Sequence, residues 1–264
     1  MTHMDVHREI LDAHSRGEPV VLATVVEAEG STPGKVGFKM LIFPNGRTVG
    51  TIGGGSNEAK IISEAAEALR TGQSRLVALG YEGASISSDE PICGGQCKVF
   101  LEPIVPAPTL YIFGAGHIGQ SLAKIGKITG FRIVVIDDRE DLANKETFPD
   151  ADEIMVTDFR DAAKRVKLSS ISCVVVVTQG HKNDFQVLKD FSEKDLRYIG
   201  LIGSKKKVKE TFESLEKEGI SKTALQRIHA PIGLSIGAKT PSEIAVSIVA
   251  EIISVLREQN NLGT

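Results

Sequence analysis

The sequence predicts an α/β protein: a doubly wound parallel sheet in the C-terminal part, preceded by a smaller α+β domain. Three observations carry that reading. A glycine-rich turn, Gly114-Ala115-Gly116-His117-Ile118-Gly119, lies between an apolar segment and a helical one. Further on, Cys173-Val174-Val175-Val176-Val177-Thr178 is a continuous β-branched run, of the kind that fills a strand buried on both faces. Between the two parts, three prolines within residues 103–108 deny backbone donors and favour an extended linker. That linker sets the expected boundary, with residues 1–105 as the N-terminal domain and 106–264 as a Rossmann-type domain.

Beyond the linker, strands and helices alternate. Residues 110–113 read as a short buried strand and 118–129 as a helix. The second and third strands fall at 132–136 and 153–157, followed by a helix over 159–167. After the valine-rich fourth strand come a helix over 184–192, a strand over 198–202 and a lysine-rich helix from Ser204. A sixth strand at 227–230 leads to the best-marked helix. There Thr240 is the N-cap, Pro241 takes the first helical position, and Glu243 completes a capping box. Ile244, Ala245, Ile248, Val249, Ile252, Ile253 and Leu256 then form one apolar stripe. Six strands joined by helical or crossover segments imply a parallel, doubly wound sheet.

The first hundred residues follow another pattern. Residues 20–26 read as a strand, and 38–43 and 47–52 flank Pro44-Asn45-Gly46, whose Asn-Gly pair signals a hairpin. A helix from 57 to about 70 and strands near 76–79 and 98–101 complete a compact α+β unit.

Composition bounds the function classes. A formal net charge of −3 gives no reason to expect nucleic acid or a membrane surface as partner. No apolar run approaches the roughly 18 residues of a membrane span. The polar, histidine-bearing residues 1–9 do not read as a signal peptide. Three cysteines, an odd number, make no disulfide framework. Together these features predict a reduced, cytoplasmic protein.

Several motifs carry chemistry. In the turn at 114–119, Gly114 permits a tight bend, Gly116 lets backbone N–H groups approach phosphate, and Gly119 allows close packing of helix on strand. Asp137 and Asp138 end the next strand about 20 residues on, where one of them would accept from a ribose hydroxyl and repel a 2′-phosphate. His117, His181 and His229 all fall near strand ends, with Asp184 one turn beyond His181. Such a convergence binds phosphate, a pterin or a metal; otherwise each histidine simply caps its element. A second glycine-rich turn, Gly53-Gly54-Gly55, precedes a helix and offers N–H groups to an anion, or is a bare turn. Cys93 and Cys97 place two thiols on a glycine-rich loop, as inert cysteines or as candidates for soft-metal or sulfur chemistry. Lys205 to Lys207 reads as a solvated helix start.

Taken together these segments resemble the xanthine dehydrogenase accessory family, of the XdhC/CoxI type. On the N-terminal side the resemblance is carried by Gly30-Ser31-Thr32-Pro33, Lys39-Met40-Leu41, Gly50-Thr51-Ile52-Gly53-Gly54-Gly55 and Cys93-Gly94-Gly95. On the C-terminal side it is carried by Phe113-Gly114-Ala115-Gly116-His117, Asp137-Asp138-Arg139, Gly180-His181, the segment 198–204 and the segment 229–237. One departure stands out, since family members often have arginine after the proline and here Gly34-Lys35 follows Pro33. The resemblance implies an accessory protein, not an enzyme, that binds the molybdenum cofactor as molybdopterin or its dinucleotide form. Its implied partners are a molybdenum hydroxylase apo-enzyme and a cysteine desulfurase, with a homo-oligomer as a further possibility. The candidate ligand site comprises Gly53, Gly54, Gly55, Gly114, Gly116, His117, Gly119, Asp137, Asp138, His181 and Cys93. Because each glycine turn alone is a weak site and a dinucleotide is too long for one, the ligand is expected in a cleft between domains or subunits lined by Cys93 and His181. Two rivals share the same turn: an NAD-dependent oxidoreductase and a nucleotide-sensing regulatory protein. The first lacks an evident Tyr-x-x-x-Lys pair.

Overall fold

In the computed structural model, which describes residues 3–80 and 95–258, the chain divides between Pro106 and Ala107 into two units. The first runs α1 (His3–Ser15), β1 (Val20–Glu29), β2 (Lys39–Ile42), β3 (Thr48–Gly50), α2 (Ser56–Thr71), β4 (Arg75–Gly80) and β5 (Gln96–Ile104). Its five strands pair antiparallel in the order β3-β2-β1-β5-β4. Alternation along β1 sends Val21, Ala23 and Val25 to one face, where Ile61, Ala65 and Ala68 of α2 cover them. On the other face α1 packs Val6, Ile10 and Ala13 against Leu41 and Phe43. That helix occupies a stretch whose polar composition masked its i, i+4, i+7 apolar spacing. The Asn45-Gly46 turn closes as expected, with Gly46 at φ 81°.

The second unit runs β6 (Thr109–Phe113), α3 (His117–Ile128), β7 (Arg132–Asp137), β8 (Glu153–Val156), α4 (Phe159–Arg165), β9 (Cys173–Val176) and α5 (His181–Phe191). It continues through β10 (Tyr198–Leu201), α6 (Lys205–Lys217), α7 (Lys222–Gln226), β11 (Ile228–His229) and α8 (Pro241–Glu258). All six strands are parallel, in the order β11-β10-β9-β6-β7-β8. Counted from β6 as first, this is the 3-2-1-4-5-6 order of dinucleotide folds, with the direction of winding reversing between β6 and β9. The valine run explains the layering. Cys173 and Val175 join the core under α3 and α8, and Val174 and Val176 join the core under α4, α5 and α6; all four are fully buried.

Capping follows the sequence. Glu243 N–H donates to Thr240 Oγ1, and Thr240 N–H donates back to Glu243 Oε2 at 2.9 Å, closing the capping box of α8. Besides α1, two features went unforeseen: the short helix α7, and a sixth strand of only two residues rather than four.

Candidate functional site

The turn after β6 divides its work among three glycines. Gly114, at φ 122°, lies so close to the backbone of Val177 that a Cβ there would collide with the Val177 carbonyl. A Cβ on Gly119 would collide with the Gly114 carbonyl, so this residue seats α3 on the turn. Gly116 differs, because a Cβ there would meet nothing within 4 Å. It is the N-cap of α3, with no side-chain cap and no acidic residue in the first turn. The helix therefore presents uncompensated N–H groups and its positive end to open space. His117 begins α3 and His181 begins α5, both exposed and following the adjacent strands β6 and β9.

Asp137 sits at the end of β7, 1% exposed, and is already occupied. Its Oδ2 accepts from Ala115 N–H at 2.6 Å and from Arg139 Nη2 at 2.8 Å; its Oδ1 accepts from Arg139 N–H at 3.0 Å and Arg139 Nε at 2.8 Å. Burial pushes this carboxyl up, but the Arg139 fork and the two backbone donors outweigh it and hold the pKa below the usual range. Its neighbour Asp138, half exposed, goes the other way, raised by burial and by the adjacent Asp137 charge.

The sign of the acid response follows. Asp137, with its folded pKa depressed, contributes stability that is complete above its ordinary value of about 4 and lost as pH falls through the lower folded value. Asp137→Asn is expected to flatten the acid limb of a thermal-unfolding pH series; an unchanged limb would assign acid sensitivity elsewhere.

Arg139 Nη1 donates across to Gln179 Oε1 at 2.9 Å. Together with Asp137, Asp138, Phe159 and Asn183 these residues line a pocket of about 170 Å³. Sequence reading gave no role to Arg139, Gln179 or Asn183, because their significance lies in which strand ends the topology brings together.

Beside this pocket is a buried ion pair. Asp184, fully buried in the first turn of α5, accepts from Thr178 Oγ1 at 2.6 Å and faces the Lys207 ammonium from α6. The lysine run is therefore not uniformly solvated: Lys205 and Lys206 are exposed, whereas the Lys207 side chain is only 19% exposed and passes over Gly203.

His229 does not join the other two histidines. It stacks on Tyr198 with ring centroids 4.6 Å apart, and its Nδ1 lies 3.5 Å from Glu251 Oε1. Tyr198 OH donates to the same oxygen; burial, then that contact, raise its pKa. Among the described residues no group of histidine, cysteine, aspartate and glutamate could hold a metal ion.

The N-terminal glycine turn has an internal occupant. Gly53, Gly54 and Gly55 all take positive φ, and Gly53 packs directly on the Pro33–Gly34 backbone. Glu58, in the first turn of α2, reaches back so that its Oε1 accepts from Ile52 N–H at 3.1 Å, Gly54 N–H at 3.0 Å and Thr51 Oγ1 at 2.6 Å. The anion seated on these donors belongs to the chain itself, which leaves Gly53 and Gly54 with a structural part in the loop.

Cys93 lies outside the described residues. Cys97 is in β5, buried in the core beneath α2, and so is not an exposed loop thiol. Cys173 is buried in β9, where desolvation pushes its thiol up to about 12.

A six-stranded parallel sheet in this order, with a glycine turn leading from β6 into α3, defines a Rossmann-type class of protein. Comparison with known proteins gives the family. Residues 110–252 match the XdhC Rossmann domain and residues 13–80 match the XdhC and CoxI family, so the chain belongs to the XdhC family. It is 33% identical over 96% of its length to YqeB of Escherichia coli (strain K12), but spans only 46% of that relative. It is 23% identical over 97% of its length to the molybdenum cofactor insertion chaperone PaoD of the same organism, covering 90% of it. A crystal structure of a xanthine dehydrogenase from Bacillus halodurans aligns over all of this chain and 98% of its own, at 25% identity and a TM-score of 0.54. No helix among the described residues is long and apolar enough to cross a membrane.

Proposed function

We propose that this chain binds the molybdenum cofactor and delivers it to a molybdenum hydroxylase apo-enzyme, acting as an accessory protein without turnover of its own. The observation that carries the reading is the open, uncapped helix start at Gly116 in a chain that matches a cofactor insertion chaperone along nearly its whole length. Molybdopterin cofactors carry phosphate, and uncompensated N–H groups at a helix start suit that group. Gly116, His117 and the α3 N-terminus would hold the phosphate, with His181 at the start of α5 after the adjacent strand. The metal comes bound to the pterin, so a cluster of protein ligands is not needed for its capture. The NAD-dependent alternative rests on a carboxylate free to accept from ribose; the four bonds already made by Asp137 leave only the half-exposed Asp138 for that part.

Cys93, leading the Cys-Gly-Gly segment, is proposed as the thiol that meets the metal end, with a cysteine desulfurase as sulfur source. Cofactor-loaded protein should activate an apo-hydroxylase, and Cys93→Ser should fold normally yet activate it several-fold less. Equal activation by variant and parent removes the thiol from the scheme. Failure of the parent to activate any apo-hydroxylase would remove the delivery role.

A further inference from the structure

We propose that Arg139 is the specificity-determining residue of the pocket beside the glycine turn, reading an oxygen acceptor on the nucleoside end of a bound nucleotide, with Asp137 as the residue that positions it. This rests on the reading that the turn at 114–119 holds the ligand's phosphate.

The argument begins with the acceptor capacity of Asp137. An ionised carboxylate has about four lone-pair sites, and all four here are filled by Ala115 N–H and by three donors of Arg139. A ribose hydroxyl could bond to Asp137 only by displacing one of them inside a buried, charge-assisted cluster. Of the two carboxylates that could accept from ribose, the buried one is thus used to hold an arginine, and Asp138 stays at the pocket's exposed side.

The consequence lies in what Arg139 has left. Its Nε and Nη2 are fixed on Asp137, which locks the guanidinium plane. Its Nη1 projects into the pocket and donates to the amide oxygen of Gln179, an exposed residue. That oxygen marks where a ligand acceptor would sit, and turning one exposed side chain vacates the place. The locked arginine is tied to the glycine turn through Ala115, whose N–H is 2.6 Å from Asp137 Oδ2. A ligand phosphate on α3 therefore puts the adjoining sugar and base within the reach of Nη1. A volume of about 170 Å³ falls below the usual 300–1,000 Å³ of a whole-ligand site, so the pocket takes one moiety of a longer molecule.

Beyond the ribose hydroxyl oxygens, which ADP also carries, the acceptor has two sources, a carbonyl on the base or a phosphate on the ribose. Adenine carries no carbonyl oxygen, which separates them. Titration calorimetry on the full chain would use ADP, UDP, GDP and adenosine 2′,5′-bisphosphate. At least one acceptor-bearing probe should bind about tenfold more tightly than ADP, a difference of about 1.4 kcal/mol. Preference for UDP or GDP assigns the base carbonyl, and preference for the bisphosphate assigns the phosphate. Arg139→Lys keeps the charge but loses the fork, and should reduce the preference to less than about threefold. Gln179→Ala, which removes the internal stand-in without touching Asp137, should tighten the preferred probe. The proposal is overturned if ADP binds as well as every other probe, or if no probe binds. It is also overturned if a folded Arg139→Lys keeps the preference, or if Gln179→Ala fails to tighten binding. None of these probes contains molybdenum or pterin, so their failure leaves the cofactor reading to its own measurement.

Discussion

Gly116→Val and Gly119→Val, three residues apart in one turn, are expected to fail in opposite ways. At Gly119 a Cβ would run into the Gly114 carbonyl, and neither partner can yield, because one is in the helix and the other packs against the Val177 backbone just past β9. Overpacking that forces backbone to move costs about 1–3 kcal/mol and occasionally more, and a clash between two backbone segments belongs at the upper end. Gly119→Val should therefore unfold at markedly lower urea concentration, or express as insoluble protein. At Gly116 the Cβ meets nothing within 4 Å, and φ −71° is a conformation that any residue adopts. Gly116→Val should keep its unfolding midpoint close to that of the parent. It should nonetheless lose phosphate-bearing ligand by about a hundredfold, near 2.7 kcal/mol, because the branched side chain fills the space that the phosphate must approach. A stable Gly119→Val would refute the packing role, and a Gly116→Val that binds like the parent would refute the phosphate role.

The second large effect concerns Lys207. Asp184 is fully buried and its charge is balanced by the Lys207 ammonium, with Thr178 supplying a hydrogen bond to the other oxygen. Lys207→Met keeps the aliphatic stem over Gly203 but leaves a carboxylate uncompensated, and removing one partner of a buried pair costs about 3–5 kcal/mol. Asp184→Asn combined with Lys207→Met should recover most of that loss, because the amide oxygen still accepts from Thr178 and no charge is stranded. Urea denaturation of the parent, the single variant and the double variant measures this directly. A single variant that loses less than about 1 kcal/mol would place the pair among exposed contacts instead.

How far the sequence could be read depended on the range of each interaction. The parallel sheet was legible because burial on both faces of β9 leaves a local mark, four consecutive buried residues without alternation. The glycine turn was legible because strand, turn and helix are consecutive. The capping box of α8 was legible for the same reason. Asp137 was found by its spacing from the turn, but its saturation was not, since that depends on the side chain of Arg139 folding back two residues. Glu58 is three residues past Gly55, the place from which a glutamate reaches back over a helix start, so the signal was present but easily passed over. Lys207 could not be told from Lys205 and Lys206 by composition. Only the placement of α6 beside α5 decides which of the three meets Asp184. His229 shares a strand-end position with the other histidines in the sequence, yet β11 is the edge of the sheet and its ring is taken up by Tyr198.

The most direct test is to identify what the protein carries. The full chain and Gly116→Val would each be purified from a host that makes the molybdenum cofactor, then analysed for bound pterin by mass spectrometry and for molybdenum by elemental analysis. The account expects pterin and molybdenum together in the parent, and neither above background in Gly116→Val of unchanged stability. Parent protein that carries no pterin, or a variant that carries as much as the parent, would contradict it.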